Sequence, residues 1–171
     1  MPALPVETLL GKYRHRLDPS AAQGVPAHVT VMYPFVPRDD WKSQSVEFRL
    51  DGVLKKTQCF SFWFRNIAEK DGLLYFPPDP SDGFRELTAA VGSEFDLVPY
   101  GGKYGDPMPH CTVSYGQWWQ NESPTDQADV KTALKGGLPI ECRAKEAWVM
   151  QRDVLDNKVQ WTIWKRLNLG E

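Results

Sequence analysis

The sequence has few cysteines, no long apolar run and little net charge. Three cysteines among 171 residues are widely spaced and form no short motif, so neither a disulfide framework nor a thiolate zinc site is indicated, and we expect buried, reduced thiols. No apolar run approaches the length of a membrane span, and no basic segment followed by an apolar core opens the chain. These absences predict a cytoplasmic protein with no membrane partner.

Basic charge is not in excess. The formal net charge is −2, which argues against a protein that coats nucleic acid broadly, because counterion release needs a dense basic surface. The low charge still permits a local phosphate pocket. The length is sufficient for one well-buried domain, or for two small lobes that share a cleft.

Two short stretches repeat one pattern and supply the candidate functional residues. His28 and Thr30 lie in the sequence H-V-T-V, and His110 and Thr112 lie in H-C-T-V. Because residues i and i+2 of a strand point to the same face, each stretch presents an imidazole and a hydroxyl on one side and apolar groups on the other. The chain has three histidines, so a threonine two places after two of them exceeds what chance predicts. The third, His15, is interpreted as a surface residue of a predicted basic helix.

The predicted secondary structure places both stretches in strands. The apolar periodicity predicts helices at 6–17, 43–56, 81–95 and 124–134, and strands at 27–33, 59–67, 73–76, 108–115, 140–151 and 158–167. Turns are predicted at 71–72 and 153–157, so that 59–76 and 140–167 each form a hairpin.

Two local features complete this prediction. Ser81 is the predicted cap of the third helix. A glycine-rich loop at 99–107 precedes the second histidine stretch. Its glycines allow close approach of the backbone to a ligand, and a plain connecting loop fits the pattern equally well.

The order histidine strand, helix, strand, turn, strand occurs twice, which predicts an internal duplication. We expect one bilobal domain over 1–171, with a first lobe at about 20–80, a second at about 100–167, and exchange of terminal elements left open. If an approximate twofold axis relates the lobes, the repeated strands face each other, and two imidazoles and two hydroxyls converge on one point.

The paired motif resembles that of the two-histidine (2H) phosphoesterases, a superfamily that includes 2′-5′ RNA ligases and cyclic nucleotide phosphodiesterases. The shared pattern is H-φ-[ST]-φ, where φ is apolar, and its flanks are also similar, with G-V-P-A at 24–27 and Y-P-F at 33–35 around the first stretch, and Pro109 and Y-G at 115–116 around the second. Family members usually begin with a strand, whereas here only residues 1–5, two of them proline, precede the first helix. We therefore expect this edge strand to be very short or missing.

The resemblance implies an α+β fold that is bilobal and pseudo-twofold, with two antiparallel-rich sheets and outer helices around a central cleft. It implies that His28, Thr30, His110 and Thr112 are catalytic. The implied reaction is metal-independent hydrolysis of a 2′,3′-cyclic phosphate or a 2′,5′-linked phosphodiester in nucleotides or RNA ends. No cofactor and no metal are expected, and we expect a monomer.

Elementary chemistry supports this assignment. Histidine titrates near neutrality, so one imidazole can accept a proton from water while the other donates a proton to a leaving oxygen. Threonine hydroxyls can donate to the non-bridging phosphoryl oxygens, where negative charge concentrates. The candidate substrate-binding residues are Tyr33, Phe35, Tyr115 and Trp118 for stacking on a base, and Lys103, Tyr104 and Arg152 for phosphate.

Three alternatives stay open at this point. A metal site would need further ligands, because neither motif contains a carboxylate or a second histidine at ligand spacing. A non-catalytic RNA- or nucleotide-binding module would bind oligonucleotides tightly and give no product. A 2′-5′ RNA ligase would run the reverse reaction, joining 2′,3′-cyclic and 5′-hydroxyl ends, which water disfavours.

Overall fold

Helices and short antiparallel strands alternate along the chain in the computed structural model, which describes residues 1–106, 108–155 and 158–171. The described helices are α1 (Glu7–Leu17), α2 (Pro19–Ala22), α3 (Val46–Lys56), α4 (Asp82–Phe95), α5 (Gln117–Gln120) and α6 (Pro124–Gly136). The described strands are β1 (Phe60–Phe64), β2 (Ala68–Lys70), β3 (Leu73–Phe76), β4 (Pro78–Asp79), β5 (Cys111–Tyr115), β6 (Ile140–Ala144), β7 (Glu146–Leu155) and β8 (Lys158–Asn168). The predicted mixture of helices and antiparallel sheets is confirmed.

The strands within the described ranges form three small sheets whose order crosses between the two halves of the sequence. Two sheets have three strands each, in the orders β4-β1-β6 and β2-β3-β5, and β7 pairs with β8 alone. All of these pairs are antiparallel. Each three-stranded sheet therefore takes two strands from the first half of the chain and one from the second.

The predicted hairpin over 59–76 is wrong in its pairing. The turn at Asp71-Gly72 is present, with φ of 51° and 78°, but it joins β2 to β3, starting with the pair Lys70↔Leu73. A two-residue turn aligns the residues that flank it immediately, so the hairpin uses 68–70 and leaves β1 free. β1 instead forms the centre of the other three-stranded sheet.

The predicted strand over 140–151 is likewise two strands. β6 ends at Ala144 and joins β1, whereas β7 starts at Glu146 and pairs with β8 along its whole length, with one irregularity at Val149/Met150. The predicted closing hairpin is confirmed for β7 and β8 alone. Asp156 and Asn157 of its predicted turn, and Pro107 of the predicted glycine-rich loop, lie outside the described residues.

The first histidine stretch is extended but is not a strand of a sheet, contrary to the prediction for 27–33. Its bridge is to Pro2, opposite His28, flanked by bonds from Ala3 N to Ala27 O (2.8 Å) and from Val29 N to Met1 O (2.9 Å). Pro2 occupies the non-hydrogen-bonded position of this bridge, and a 3-10 helix begins at Leu4, so the pairing does not extend past Ala3. The edge strand expected from the family resemblance is therefore reduced to one bridge.

The second histidine stretch is a strand only from Cys111 onward, so His110 lies immediately before β5 rather than inside the predicted 108–115. The predicted alternation of burial nevertheless holds in both stretches. Val29, Cys111 and Val113 are fully buried, whereas both histidines and both threonines are partly exposed. The apolar residues thus anchor each stretch, and the polar ones face outward from the core.

The predicted helices are present with shifted ends. The second begins at Val46 rather than at 43, and the fourth extends to Gly136, with Ser123 accepting a capping bond from Asp126 N. Ser81 occupies the N-cap position of α4, but its side chain makes no capping hydrogen bond, so that part of the prediction is wrong. The two four-residue helices, α2 and α5, were not predicted, because one turn carries no apolar periodicity.

The core is built on aromatic rings from both three-stranded sheets. Phe62 packs edge-on against Phe64 and Phe84, with ring centroids 5.4 and 4.9 Å apart, and Phe64 lies 5.7 Å from Phe76. All four rings are fully buried. Cys111 and Cys142 are buried free thiols as expected, and Cys59 is a free thiol that is partly exposed. Among the helices of the described ranges, none has the length and apolarity that crossing a membrane requires.

Candidate active site

A cleft of about 1280 Å³ is lined by both histidine stretches. His28, Thr30, His110 and Thr112 all contribute to its wall. The pattern that is repeated in the sequence is therefore brought together in space.

The chain itself fixes the tautomer of each imidazole. The Nδ1 atom of His28 lies 2.8 Å from the carbonyl oxygen of Pro26, and Nδ1 of His110 lies 2.6 Å from that of Met108. A carbonyl oxygen can only accept, so Nδ1 carries the proton in both neutral rings and donates it. The Nε2 lone pair of each histidine remains to accept a proton.

The two Nε2 atoms differ in their surroundings. Thr30 Oγ1 lies 3.1 Å from Nε2 of His28, within hydrogen-bond distance. Within 1–106, 108–155 and 158–171, neither Nε2 of His110 nor the hydroxyl of Thr112 has such a partner. The first motif is thus held by neighbours, and the second is open.

Burial lowers the pKa of both histidines. Burial lowers the pKa of His28 to about 4; the positive charges of the Met1 amino group, Arg14 and His110 act in the same direction, and the bond to Pro26 opposes them. Burial also lowers the pKa of His110, against the bond to Met108. At neutral pH both rings are therefore neutral and able to take up a proton.

A buried ion-pair network supports the first motif from below. Arg14 is 1% exposed and donates to the Asp18 carboxylate over 2.8 Å. It also lies 3.7 Å from Glu7, whose carboxylate accepts a bond from the backbone N–H of Ala27. The residue before His28 is therefore tied to helix α1. On the other motif, Ser114 Oγ donates to the carbonyl oxygen of Leu17 at the end of that same helix.

Comparison with known proteins decides the family. A family model described as the 2′-5′ RNA ligase superfamily matches residues 2–156. The chain belongs to the 2′-5′ RNA ligase superfamily. The predicted membership of the 2H phosphoesterases is thereby confirmed, and no curated protein sequence matches the chain significantly.

Solved structures confirm the fold. Escherichia coli LigT in its apo form is 15% identical and superposes with a TM-score of 0.63, covering 100% of this chain and 94% of that one. LigT complexed with NADP+ gives 13% identity and a TM-score of 0.61 over 100% and 94% of the two chains. A structure described as a phosphoesterase gives 16% and 0.59 over 100% and 95%. The predicted α+β fold of the 2H type is the fold of this superfamily member.

Five of the seven predicted substrate-binding residues line the cleft of this superfamily member. These five are Tyr33, Phe35, Tyr104, Tyr115 and Arg152. Phe35 is partly committed to packing, because its ring lies edge-on to Phe95 with centroids 5.1 Å apart. Lys103 and Trp118 do not line the cleft; the ammonium of Lys103 lies over the ring of Tyr104, and Trp118 is on the surface.

Several cleft residues were not predicted from the sequence. Tyr100 and Trp161 both contact Tyr33, with ring centroids 6.0 and 6.4 Å apart, and Arg38 lies over the ring of Trp164. Tyr100 has a left-handed backbone, with φ of 54°, which is uncommon for a bulky side chain. Its place in the glycine-rich loop was the only signal available in the sequence.

The candidate catalytic groups in the cleft are two imidazoles and two threonine hydroxyls. Among the residues that the structure describes, no group of three or more histidine, cysteine, aspartate or glutamate side chains could hold a metal ion. What the cleft offers is proton acceptors at Nε2 and hydroxyl donors beside them. This arrangement can move protons at an anionic group that enters between them.

Proposed function

We propose that this protein is a metal-independent phosphodiesterase that hydrolyses 2′,3′-cyclic phosphate or 2′,5′-linked phosphodiester bonds of nucleotides or RNA ends. The observation that carries the proposal is that His28 and His110 line one cleft and that each presents Nε2, because its own chain occupies Nδ1. Thr30 and Thr112 line the same cleft. The membership of the 2′-5′ RNA ligase superfamily supports the class of reaction.

In the proposed mechanism, one neutral histidine removes a proton from water as the water oxygen attacks phosphorus. The other histidine, protonated, gives its proton to the ribose oxygen whose bond to phosphorus breaks, so protons balance over the cycle. The hydroxyls of Thr30 and Thr112 donate to the non-bridging oxygens, which carry the developing charge. His28 and His110 are proposed as the acid and base pair, and either can start in either role.

The proposed ligand is a small nucleotide or an RNA end rather than a long duplex. The formal charge of −2 offers no broad basic surface for a duplex. E. coli LigT has been solved with ATP, 3′-AMP and NADP+, so adenine nucleotides are the first ligands to test on this chain. We assign base stacking to the exposed rings of Tyr33 and Tyr115 and phosphate contact to Tyr104 and Arg152.

Alanine substitution of the paired histidines tests the proposal. H28A and H110A should each lower kcat roughly 100- to 10,000-fold, because each removes one proton-transfer group. H15A is the matched control, since His15 is exposed on α1 outside the cleft, and it should keep wild-type activity. Substrates are a panel of 2′,3′-cyclic mononucleotides, 2′,5′-oligoadenylate and RNA ends, assayed with and without chelator.

The same panel separates the alternatives. Activity retained by both histidine variants, or lost in chelator, would contradict the proposal. Joined ends without hydrolysis would identify a ligase. Tight oligonucleotide binding with no product would identify a binding module.

A further inference from the structure

Arg38 is an exposed arginine that lines the cleft. Its guanidinium lies over the ring of Trp164, with Cζ 5.2 Å from the ring centroid. The Trp164 ring is in turn 4.1 Å from that of Trp41, whose indole N–H donates to the carbonyl oxygen of Val36 over 3.1 Å. The segment that carries Arg38 is therefore tied to strand β8, and the guanidinium has a defined place in the cleft.

The N–H groups of Arg38 are available to a ligand. Within the described ranges, Arg38 makes no ion pair and no side-chain hydrogen bond. Asp153 also lines the cleft, but its carboxylate accepts from Thr162 Oγ1 (2.6 Å) and from Gln151 Nε2 (2.9 and 3.1 Å). These bonds lower the pKa of Asp153, and the charge of Arg38 adds to their effect. The planar fork of N–H donors on Arg38 is thus left without a partner.

Arg38 lies away from the ring of Tyr33 along the same wall. Tyr33 contacts Trp161, with ring centroids 6.4 Å apart, whereas Arg38 contacts Trp164, three residues further along β8. A strand rises about 3.3 Å per residue, so the two contacts are roughly 10 Å apart. Among the described residues, the charges that shift the pKa of His28 do not include that of Arg38. The cleft of about 1280 Å³ exceeds the roughly 300–1,000 Å³ of a small-ligand pocket, so a longer ligand can reach both contacts.

We propose that Arg38 binds a second phosphate of the substrate, separate from the phosphate that is hydrolysed. This inference rests on the proposed function, which places the reacting phosphate between His28 and His110. A guanidinium binds phosphate through two parallel N–H···O bonds and stays charged at every pH at which the protein is folded. The second phosphate has two possible sources, the 5′-phosphate of a nucleotide and the next phosphodiester of an RNA chain. With either source, Arg38 favours a substrate with two phosphates over a cyclic mononucleotide with one.

The first test measures kcat and KM for three substrates with the same reactive end. They are adenosine 2′,3′-cyclic phosphate, the same nucleotide with a 5′-phosphate, and a 3′,5′-linked diadenosine that ends in the 2′,3′-cyclic phosphate and has no 5′-phosphate. R38A should raise KM roughly 10- to 100-fold for a substrate that places a phosphate at Arg38, and less than about twofold for the single-phosphate nucleotide. R38K keeps the charge but not the fork, so it should recover only part of the loss.

R65A is the matched control. The guanidinium of Arg65 also lies over a tryptophan ring, that of Trp63, at 5.0 Å. It pairs with Asp79 over 2.9 Å and lies outside the cleft, so R65A should behave as wild type on all three substrates.

The three substrates separate the two sources. A loss confined to the 5′-phosphorylated nucleotide identifies a terminal phosphate, and a loss confined to the diadenosine identifies the next phosphodiester. A loss with both shows that Arg38 accepts either one. An equal loss with all three substrates would identify a structural role and overturn the inference, and so would the absence of any loss.

Calorimetric titration supplies a readout that needs no turnover. The ligands are 3′-AMP and two compounds that add a phosphate to it, adenosine 3′,5′-bisphosphate and 3′,5′-linked diadenosine 3′-phosphate. At least one of the two should bind the wild type and R65A about tenfold more tightly than 3′-AMP does, and R38A should lose that gain. No gain in the wild type, or a gain that R38A keeps, overturns the inference. If the wild type hydrolyses nothing on the panel, the proposed function fails and the titration alone decides whether Arg38 binds phosphate.

Discussion

At the scale of single residues, burial of His28 predicts how stability depends on pH. Its pKa is lowered from 6.5 to about 4. Between these two values His28 is protonated in the unfolded chain and neutral in the folded protein. The free energy of unfolding therefore falls as pH drops from 6.5 to 4, by up to about 3 kcal/mol from this group. H28N removes the titrating ring and should flatten this fall, whereas H15N should not.

Urea unfolding at several pH values between 4 and 7 measures the effect. The wild type and H15N should lose stability in parallel over this range, and H28N should lose less. Equal slopes for H28N and the wild type would show that His28 titrates normally in the folded protein. The other acid-sensitive groups are the same in the wild type and in both variants, so their contributions to the pH dependence cancel when the slopes are compared.

The candidate site shows which functional residues can be predicted from a sequence. His28 with Thr30 and His110 with Thr112 were predicted to be neighbours within each stretch, because alternation along an extended chain is local. Their common cleft followed from the internal repeat. Tyr100 could not be predicted, because its contact with Tyr33 joins residues that are far apart in the sequence, and its φ above zero has no residue-type signal.

At the scale of elements, helix α1 depends on a buried charge. Arg14 is 1% exposed and 2.8 Å from Asp18, which is 2% exposed. R14A should destabilise the protein by roughly 3–5 kcal/mol, because it leaves a buried carboxylate uncompensated. R16A is the control in the same helix: Arg16 pairs with Glu122 but is 53% exposed, and its loss should cost less than about 1 kcal/mol. Thermal or urea unfolding of both variants measures the difference, and equal costs would contradict it.

The turn before the first histidine stretch requires a glycine. Gly24 has φ of 97°, and a Cβ there would lie 2.9 Å from the carbonyl oxygen of Trp161. The neighbouring bond from Trp161 N to Gln23 O, 2.7 Å long, ties β8 to this turn. G24A should therefore destabilise the protein by about 1–3 kcal/mol.

The matched control for G24A is a glycine substitution that should change the stability in the opposite direction. Gly52 lies in α3, and a Cβ added there would have nothing within 4 Å. Since alanine is the better helix former, G52A should stabilise the protein by about 0.5–1 kcal/mol. A higher urea midpoint for both G24A and G52A would contradict the prediction. It would show that the lower freedom of the unfolded backbone, rather than the contact with Trp161, governs both sites.

The helices and turns were predicted from the sequence more accurately than the pairing of the strands. The long helices follow from a 3.6-residue apolar period, and the turn at Asp71-Gly72 follows from residue type. Which strands pair depends on contacts between distant segments. The exchange of β5 and β6 into sheets that begin in the first half has no local signal. The first hairpin was therefore given the wrong strand, and β6 was wrongly included in the second, whose pairing of β7 with β8 is correct.

At the scale of the whole molecule, that exchange explains how the two motifs meet. β5, which follows His110, pairs with β3, and β6 pairs with β1. Neither three-stranded sheet can form from one half of the chain alone. The fold of the superfamily is therefore built only when both halves are present, and the cleft forms together with the shared core.

The whole cleft should give an acidic pH optimum for the proposed activity. The active form has one neutral and one protonated histidine, so the alkaline limb of kcat/KM reports the higher pKa of the free protein. Burial lowers the pKa of His28 to about 4 and that of His110 below its ordinary 6.5. Above pH 6.5 both rings become neutral, no acid remains, and kcat/KM should fall. Assays of a 2′,3′-cyclic nucleotide from pH 3.5 to 8 in chelator, with circular dichroism at each pH to separate unfolding from titration, measure this directly. An alkaline limb with its midpoint above pH 7 would contradict the prediction, because it would show that burial does not lower the pKa of the histidine that acts as the acid.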